Sequence, residues 1–343
     1  MLTRAKAFSL TIAVLLMLSL LPVTSIAALP ASLPAEEGLP QMPGAAEELA
    51  VREKTTADNE NVGLASRSVA LTPAADPHAG WEEIGALSAS GRGVSNNDGH
   101  SADPSMAITS DGTPYIAWTD ASSGELQIYS RYWDDDETWR ELGQSATGGG
   151  ISNSSGSATQ PSLGIDTDGT SYVAWSDIYA GTKIYMRRWS GSCWEELGGS
   201  ASGGGISNSA GADSPSLAIA PNNEDPYVAW TNDPGLGSAI YLRYWNGNRW
   251  AELGGSATGG GISESGWMDT VAHPSLAIDT SGNPYLAWED DESGERQIYF
   301  RYWDGGNWGE LGDSATGGGI SDQPGSVAPS LAIDNRGNHC VAY

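Results

Sequence analysis

Residues Pro215–Gly254 read PSLAIAPNNEDPYVAWTNDPGLGSAIYLRYWNGNRWAELG, four short apolar runs separated by turns. The runs are PSLAIA (Pro215–Ala220), PYVAW (Pro226–Trp230), IYLRYW (Ile240–Trp245) and WAELG (Trp250–Gly254). Each is rich in Val, Ile, Leu, Tyr or Trp and too short for a helix, which predicts strands. The same order recurs along the chain. Aligned on Pro-Ser, the repeats place Pro104, Pro161, Pro215, Pro274 and Pro329 at spacings of 57, 54, 59 and 55 residues. A period of that size signals a solenoid, a propeller or an array. The first two runs of each unit are near-continuously apolar, as expected for strands covered on both faces. The prediction is an all-β fold, a β-propeller of four-stranded antiparallel blades with about five blades present, the last incomplete.

The turns support this reading. The first-to-second turn usually reads Asp-x-x-Gly, as at Asp166–Gly169 and Asp279–Gly282. There Asp bonds the backbone amides of the turn and Gly takes positive φ. The third-to-fourth turn has hairpin length, as in Asn246–Arg249. After the fourth run comes a Gly-rich phrase, SATGGGIS at Ser145–Ser152, Ser256–Ser263 and Ser314–Ser321, with near copies at Ser88–Ser95 and Ser200–Ser207. It falls where the chain must return from the rim of one blade to the axis of the next, with Ile151, Ile206, Ile262 and Ile320 tucked inward. It lacks the Gly-Lys-Ser/Thr ending of a phosphate loop.

Hairpin arithmetic predicts a further feature. If Trp245 faces Trp250, the register sets Arg243 opposite Glu252. The same register pairs Arg187 with Glu196, Arg301 with Glu310 and, despite one extra loop residue, Arg131 with Glu141. Four cross-strand ion pairs of structural purpose are therefore expected.

Composition narrows the function. The chain has 343 residues, 16 Lys and Arg against 43 Asp and Glu, and a formal net charge of −27. Such a charge repels nucleic acid and anionic lipid, so neither is expected as a partner. Arg4 and Lys6 precede an apolar run at Phe8–Leu21 and a small-residue stretch at Ser25–Ala28, which reads as an export signal over 1–27. The apolar run, 14 residues, is short for a membrane span of about 20, so no membrane insertion is expected after cleavage. Residues 28–80, rich in Ala, Pro and Glu, read as a disordered linker. The repeats then fill 81–343 and stop within the second strand of a fifth unit, as a truncated copy of a longer protein would. Trp81–Gly85 (WEEIG) matches a fourth strand and is expected to serve that fifth blade. Cys193 and Cys340 are non-equivalent and the four His are scattered, so neither a disulfide framework nor a metal or cofactor site is expected.

The Asp-x-x-Gly turn between PSLAI and PYVAW resembles the Asp-box of sialidase-like propeller proteins, over roughly residues 81–343. In Ser275–Trp288 the Asp and Gly stand one residue further apart than in that motif, the third unit has Ala220–Pro226 (APNNEDP) instead, and Asp111 is shifted in the first. Asp-boxes are structural in that family, so the resemblance implies fold rather than chemistry. The Arg-Ile-Pro signature of the catalytic members is absent, which points to a non-catalytic relative.

For ligands, the second-to-third-strand loops begin with Asp120, Asp177, Asn232 and Asp290, two residues past the strand Trp. Acceptors beside aromatics suit a sugar, and these four are candidate ligand-binding residues, with solvated turn residues as the bland alternative. Trp267, in the longest crossing loop, is a candidate stacking platform beside Asp269. Glu289–Glu292 lacks the spaced Asp/Gly loop of a calcium site. The expected function is an exported, secreted or cell-surface module that binds glycan or a cell-surface protein. The alternatives are a glycoside hydrolase, needing carboxylates about 5–10 Å apart, and a purely structural repeat.

Overall fold

The β-branched and aromatic runs form strands where the sequence places them. The computed structural model describes residues 50–53, 65–68, 83–85, 88–89, 91–179, 181–233, 237–264, 270–292, 294–321, 325–334 and 336–343. β1 (Ala50–Glu53) and β2 (Ala65–Ser68) come first. The first repeat supplies β3 (Ser101–Ile108), β4 (Pro114–Asp120), β5 (Gln127–Trp133) and β6 (Trp139–Arg140). The second supplies β7 (Ala158–Ile165), β8 (Ser171–Asp177), β9 (Lys183–Trp189) and β10 (Trp194–Glu195). The third supplies β11 (Ala212–Ile219), β12 (Pro226–Asn232), β13 (Ala239–Trp245) and β14 (Trp250–Ala251). The fourth supplies β15 (Val271–Ile278), β16 (Pro284–Asp290), β17 (Gln297–Trp303) and β18 (Trp308–Gly309), and β19 (Ser330–Ile333) and β20 (His339–Ala342) follow. They make five four-stranded antiparallel sheets. First strands pack against first strands in chain order, β3 on β7, β7 on β11, β11 on β15 and β15 on β19. This is the β-propeller.

The core lies between blades. One apolar cluster joins Ile128 and Ile151 to Val173 and Trp175, a second joins Ile184 and Met186 to Val228 and Trp230, and a third joins Ile240 and Leu242 to Leu286 and Trp288. A fourth sets Ile298 and Phe300 against Leu331 and Val341. The middle strands β8 and β12 are buried at every position, because both their faces meet another sheet. Their central YVAW runs are accordingly apolar rather than alternating, with polar residues only toward the strand ends.

Inner edges are closed by hydroxyls. In the first four repeats the Ser of the Pro-Ser pair accepts from the Leu amide of the next blade: Ser105 from Leu163, Ser162 from Leu217, Ser216 from Leu276 and Ser275 from Leu331, all at 2.9–3.0 Å. Without these acceptors the first strands would carry unpaired donors along an edge.

The outer rim departs from the predicted ion pairs. Trp133–Trp139, Trp189–Trp194, Trp245–Trp250 and Trp303–Trp308 do face each other. The fourth strand ends after two residues, however, so the register that would oppose Arg and Glu is never reached. Instead each arginine reaches back one blade. Arg131 donates to Val94 O, Arg187 to Ile151 O, Arg243 to Ile206 O and Arg301 to Ile262 O, at 2.5–2.8 Å. Each glutamate accepts from a Gly-rich loop: Glu141 from Ala146 N, Glu196 from Ala201 N, Glu252 from Ala257 N and Glu310 from Ala315 N, at 2.8–3.3 Å. Burial pushes the Arg131, Arg187 and Arg243 guanidinium pKa values down, opposed by the nearby charges of Glu141, Glu196 and Glu252. The partners are neighbours in the field but not contact pairs.

The fifth sheet runs β19-β20-β1-β2. Its third and fourth strands come from within the stretch read as a linker, with Arg52 opposite Val341 and Glu53 opposite Cys340. The open edge of β20 offers the hydrogen bonds that the sequences AVRE and ASRS have no apolar pattern to announce. Glu83–Gly85 are not in a strand, yet Ile84 O accepts Trp139 Nε1 at 3.0 Å, just as Leu142 O accepts Trp194 Nε1. The export signal and Trp267 lie outside the described residues.

Two expectations follow. In the phrase at Ser200–Ser207, a Cβ on Gly205 would lie 2.3 Å from Ile184 O, whereas one on Gly203 would meet nothing. Both have positive φ, 61° and 56°. Gly203→Ala should cost about 1–2 kcal/mol from backbone strain alone, and Gly205→Ala distinctly more, in urea unfolding; equal costs would contradict the close approach. Second, Arg243→Ala should cost about 1–3 kcal/mol because Ile206 O loses its donor. A double-mutant cycle with Glu252→Ala should return an interaction below about 0.5 kcal/mol. A larger coupling would restore the ion pair.

Candidate functional site

At the start of each first strand the ladder breaks. The register shifts between Ala102 and Ser105, Thr159 and Ser162, Asp213 and Ser216, and Ala272 and Ser275. Within these four bulges, and at Ala328 ahead of β19, the residue before Pro takes left-handed φ: Asp103 50°, Gln160 53°, Ser214 51°, His273 49° and Ala328 50°. Such a conformation costs about 1–3 kcal/mol for a residue with a side chain. Glycine would relieve it. The chain has 45 glycines and puts none here, so five side chains are held at the mouth of the axis against backbone preference.

These bulge residues meet across blades. Thr119 Oγ1 donates to Asp103 Oδ2 at 3.1 Å and accepts from Gln160 N at 3.2 Å. Gln160 Oε1 accepts from Ser214 N at 3.3 Å, and Asp213 Oδ1 accepts from Ser176 Oγ at 3.0 Å. In the fourth blade the position of Thr119, Ser176 and Thr231 is filled by Glu289. Glu289 Oε1 lies 2.8 Å from Arg296 Nη1 and 3.2 Å from His273 Nδ1, and Oε2 accepts from Ala328 N at 2.9 Å. Burial works against the charged form of this carboxyl, but the bonds from His273 and Ala328 hold its pKa below the usual range. The bond to Glu289 in turn raises the His273 pKa, against some desolvation. The mouth thus combines carboxylates, an amide, a hydroxyl and an imidazole, and its blades differ from one another.

The four loop-leading residues do a different job. Asp120, Asp177, Asn232 and Asp290 are 0–6% exposed. Asp120 Oδ2 accepts from Trp118 Nε1, Asn97 Nδ2 and Ser101 Oγ at 2.7–2.9 Å, and Oδ1 from Ser122 N at 2.8 Å. Asp177 and Asp290 cap Tyr179 N and Glu292 N, each at 2.9 Å, and Asn232 accepts from Ser209 Oγ at 2.7 Å. Asp120, Asp177 and Asp290 fasten their own loops, Asn232 holds the preceding crossing loop, and these acceptors face protein donors. Trp175, Trp230 and Trp288, the counterparts of Trp118, bury an indole N–H without a protein acceptor. The Asp-x-x-Gly turns are structural too: Asp279 Oδ1 takes Ser281 N and Asn283 N at 2.9 and 2.8 Å. No group of three or more His, Cys, Asp or Glu suited to a metal occurs among the described residues.

The bulge residues escaped the sequence reading because Asp, Gln, Ser, His and Ala before a Pro share no chemistry. Their variation inside an otherwise repeated phrase was the available signal.

No protein-family model matches the chain, and no curated protein matches it. Similar solved structures include a protein of unknown function from Dyadobacter fermentans, with TM-score 0.49 and 14% identity over 72% of this chain and 75% of that one. Another is an alpha-L-arabinanase of Penicillium chrysogenum complexed with arabinobiose, with TM-score 0.45 and 16% identity over 67% and 70%. An endo-arabinase from Bacteroides thetaiotaomicron follows, with TM-score 0.41 and 14% identity over 72% and 89%. Function has to be argued from the chain's own residues.

The His273–Glu289 contact has a pH signature. The folded His273 pKa is raised, so its contribution is fully present below about 6.5 and is lost as pH rises through the folded value. Glu289, lowered, loses its contribution as pH falls below about 4.5. The melting temperature difference between wild type and His273→Gln should therefore be larger at pH 5.5 than at pH 8. The opposite order would remove the pair from the account.

Proposed function

We propose that the chain is an exported, non-catalytic β-propeller that binds carbohydrate at the mouth of its axis, outside the cell or on its surface. The observation that carries this reading is the set of left-handed residues before proline, where side chains stand in place of glycine at the start of all five first strands. Asp103 accepts, while Gln160 and Ser214 both donate and accept. A hydroxyl-rich ligand asks for this mixture, whereas nucleic acid and anionic lipid are opposed by the net charge of −27. Binding rather than hydrolysis is favoured because the buried carboxylates are engaged. Glu289 is held ionised by three donors, and Asp120 by four, so neither is a proton donor in waiting. Likeness to the non-catalytic, Asp-box-bearing relatives of sialidases agrees with turns whose aspartates serve the backbone. Export rests on the cation-led apolar run at the N-terminus.

The test is a glycan array probed with the full chain, followed by Asp103→Ala and Gln160→Ala. Ala328 occupies the same backbone conformation, so alanine is compatible with it. Each substitution should weaken glycan binding at least about ten-fold, or about 1.4 kcal/mol, with little change in melting temperature. Release of reducing ends from a bound oligosaccharide would replace the binding module with a glycosidase. Absence of any glycan binding would overturn the carbohydrate reading.

A further inference from the structure

Away from the axis, the groove between the first and second blades is an open cavity of about 360 Å³ on the rim. Ligand pockets begin at about that size. Gln144 and Asn153 line it from the crossing loop, and Arg187, Trp189, Cys193 and Trp194 from the second blade. Arg187 and Trp189 are two apart on β9 and so share a face. Trp189 and Trp194 lie with ring centroids 5.8 Å apart, which leaves flat apolar surface beside neutral amides. Arg187 Nη1 is committed to Ile151 O at 2.7 Å. Its Nη2 has no protein partner among the described residues.

The fourth blade indicates what that nitrogen takes. Arg301 repeats the bond of Arg187, donating Nη1 to Ile262 O at 2.8 Å, and its Nη2 donates to Glu264 Oε2 at 3.0 Å. Glu264 stands at the loop position of Asn153. Each closes its loop through a backbone bond to the residue four before it, Asn153 to Gly149 O and Glu264 to Gly260 O, at left-handed φ of 42° and 54°. A carboxylate of the protein itself therefore fills, in one groove, the place that shorter, neutral Asn153 leaves open in another. Asn208 repeats the open form beside Arg243.

We propose that the groove between the first two blades binds a carboxylated sugar, its ring stacked on Trp189 and its carboxylate on Arg187 Nη2. The site is separate from the axial mouth and rests on the carbohydrate reading only for the class of ring. The chain's negative charge acts at long range and is screened beyond about 8–10 Å in physiological salt. The contact with a half-buried guanidinium and the cover of the indoles act within that distance.

Cys193 is exposed and lines the groove, so its alkylation reports occupancy there. In the full chain carrying Cys340→Ser, trigalacturonate at ten times its Kd should slow iodoacetamide labelling of Cys193 about ten-fold. Maltotriose should not, and the protection should shrink as salt rises. Asn153→Glu should abolish protection by placing a carboxylate on Arg187, and Glu264→Asn should add one trigalacturonate site in calorimetry. Equal protection by maltotriose, protection surviving Asn153→Glu, or an unchanged site count in Glu264→Asn would each overturn the proposal. If glycans bind on the array but never protect Cys193, the groove fails and the axial reading stands. If no glycan binds at all, the carbohydrate reading fails as well.

Discussion

A four-stranded sheet ends in two open edges, and everything else in this protein depends on how neighbouring blades close them. On the inside, a serine hydroxyl from one blade accepts the leucine amide of the next. On the outside, arginine and tryptophan reach back to carbonyls of the preceding blade, as Arg187 does to Ile151 and Trp194 to Leu142. Between these seams lie the apolar clusters, each shared by two blades. A blade on its own would leave both its large faces and both its edges exposed. The fold is therefore cooperative between repeats in a way that no single repeat can be.

The same seams explain the flexible phrase. Ser145 Oγ donates to Ser130 O and accepts from Leu142 N, and Ile151 N donates to Ile128 O. The Gly-rich loop thus runs back along the third strand as a surrogate edge partner. Gly150, 2.3 Å from Ile128 O at its virtual Cβ, is demanded by that closeness. Ile151, fully buried, anchors the return to the axis.

Repetition supplies stability, and departure from it supplies chemistry. Where most blades agree, as with Asp-x-x-Gly, Pro-Ser and the paired Trp, the residues serve turns and seams. Where blades disagree in an equivalent place, the shared fold does not dictate the side chain. The bulge series from Asp103 to Ala328 is one such place, and the exchange of Asn153 for Glu264 at the rim is another. Glu289 joins the two roles, since it replaces a hydroxyl of the other blades yet ties His273 and Arg296 to the start of the fifth sheet.

The sequence by itself determined the strands of the repeats, the blade and the tryptophan register, because these depend on local periodicity, turn chemistry and hairpin length. It also located the glycine loop and its isoleucines, of which Ile151, Ile206 and Ile262 are fully buried and Ile320 partly. Tertiary structure decided the partners. Arg243 turns to Ile206 rather than Glu252 because the outer strand stops short and an unpaired carbonyl of the neighbouring blade lies closer. Asp120, Asp177 and Asp290 turn inward because the backbone amide two residues on takes one carboxylate oxygen of each. β1 and β2, without apolar pattern of their own, are strands because β20 presents an edge for them to join. The choices of Arg243 and of β1 and β2 are made between residues of different repeats or of distant segments, and pairing at that range is invisible to a reading that follows the chain.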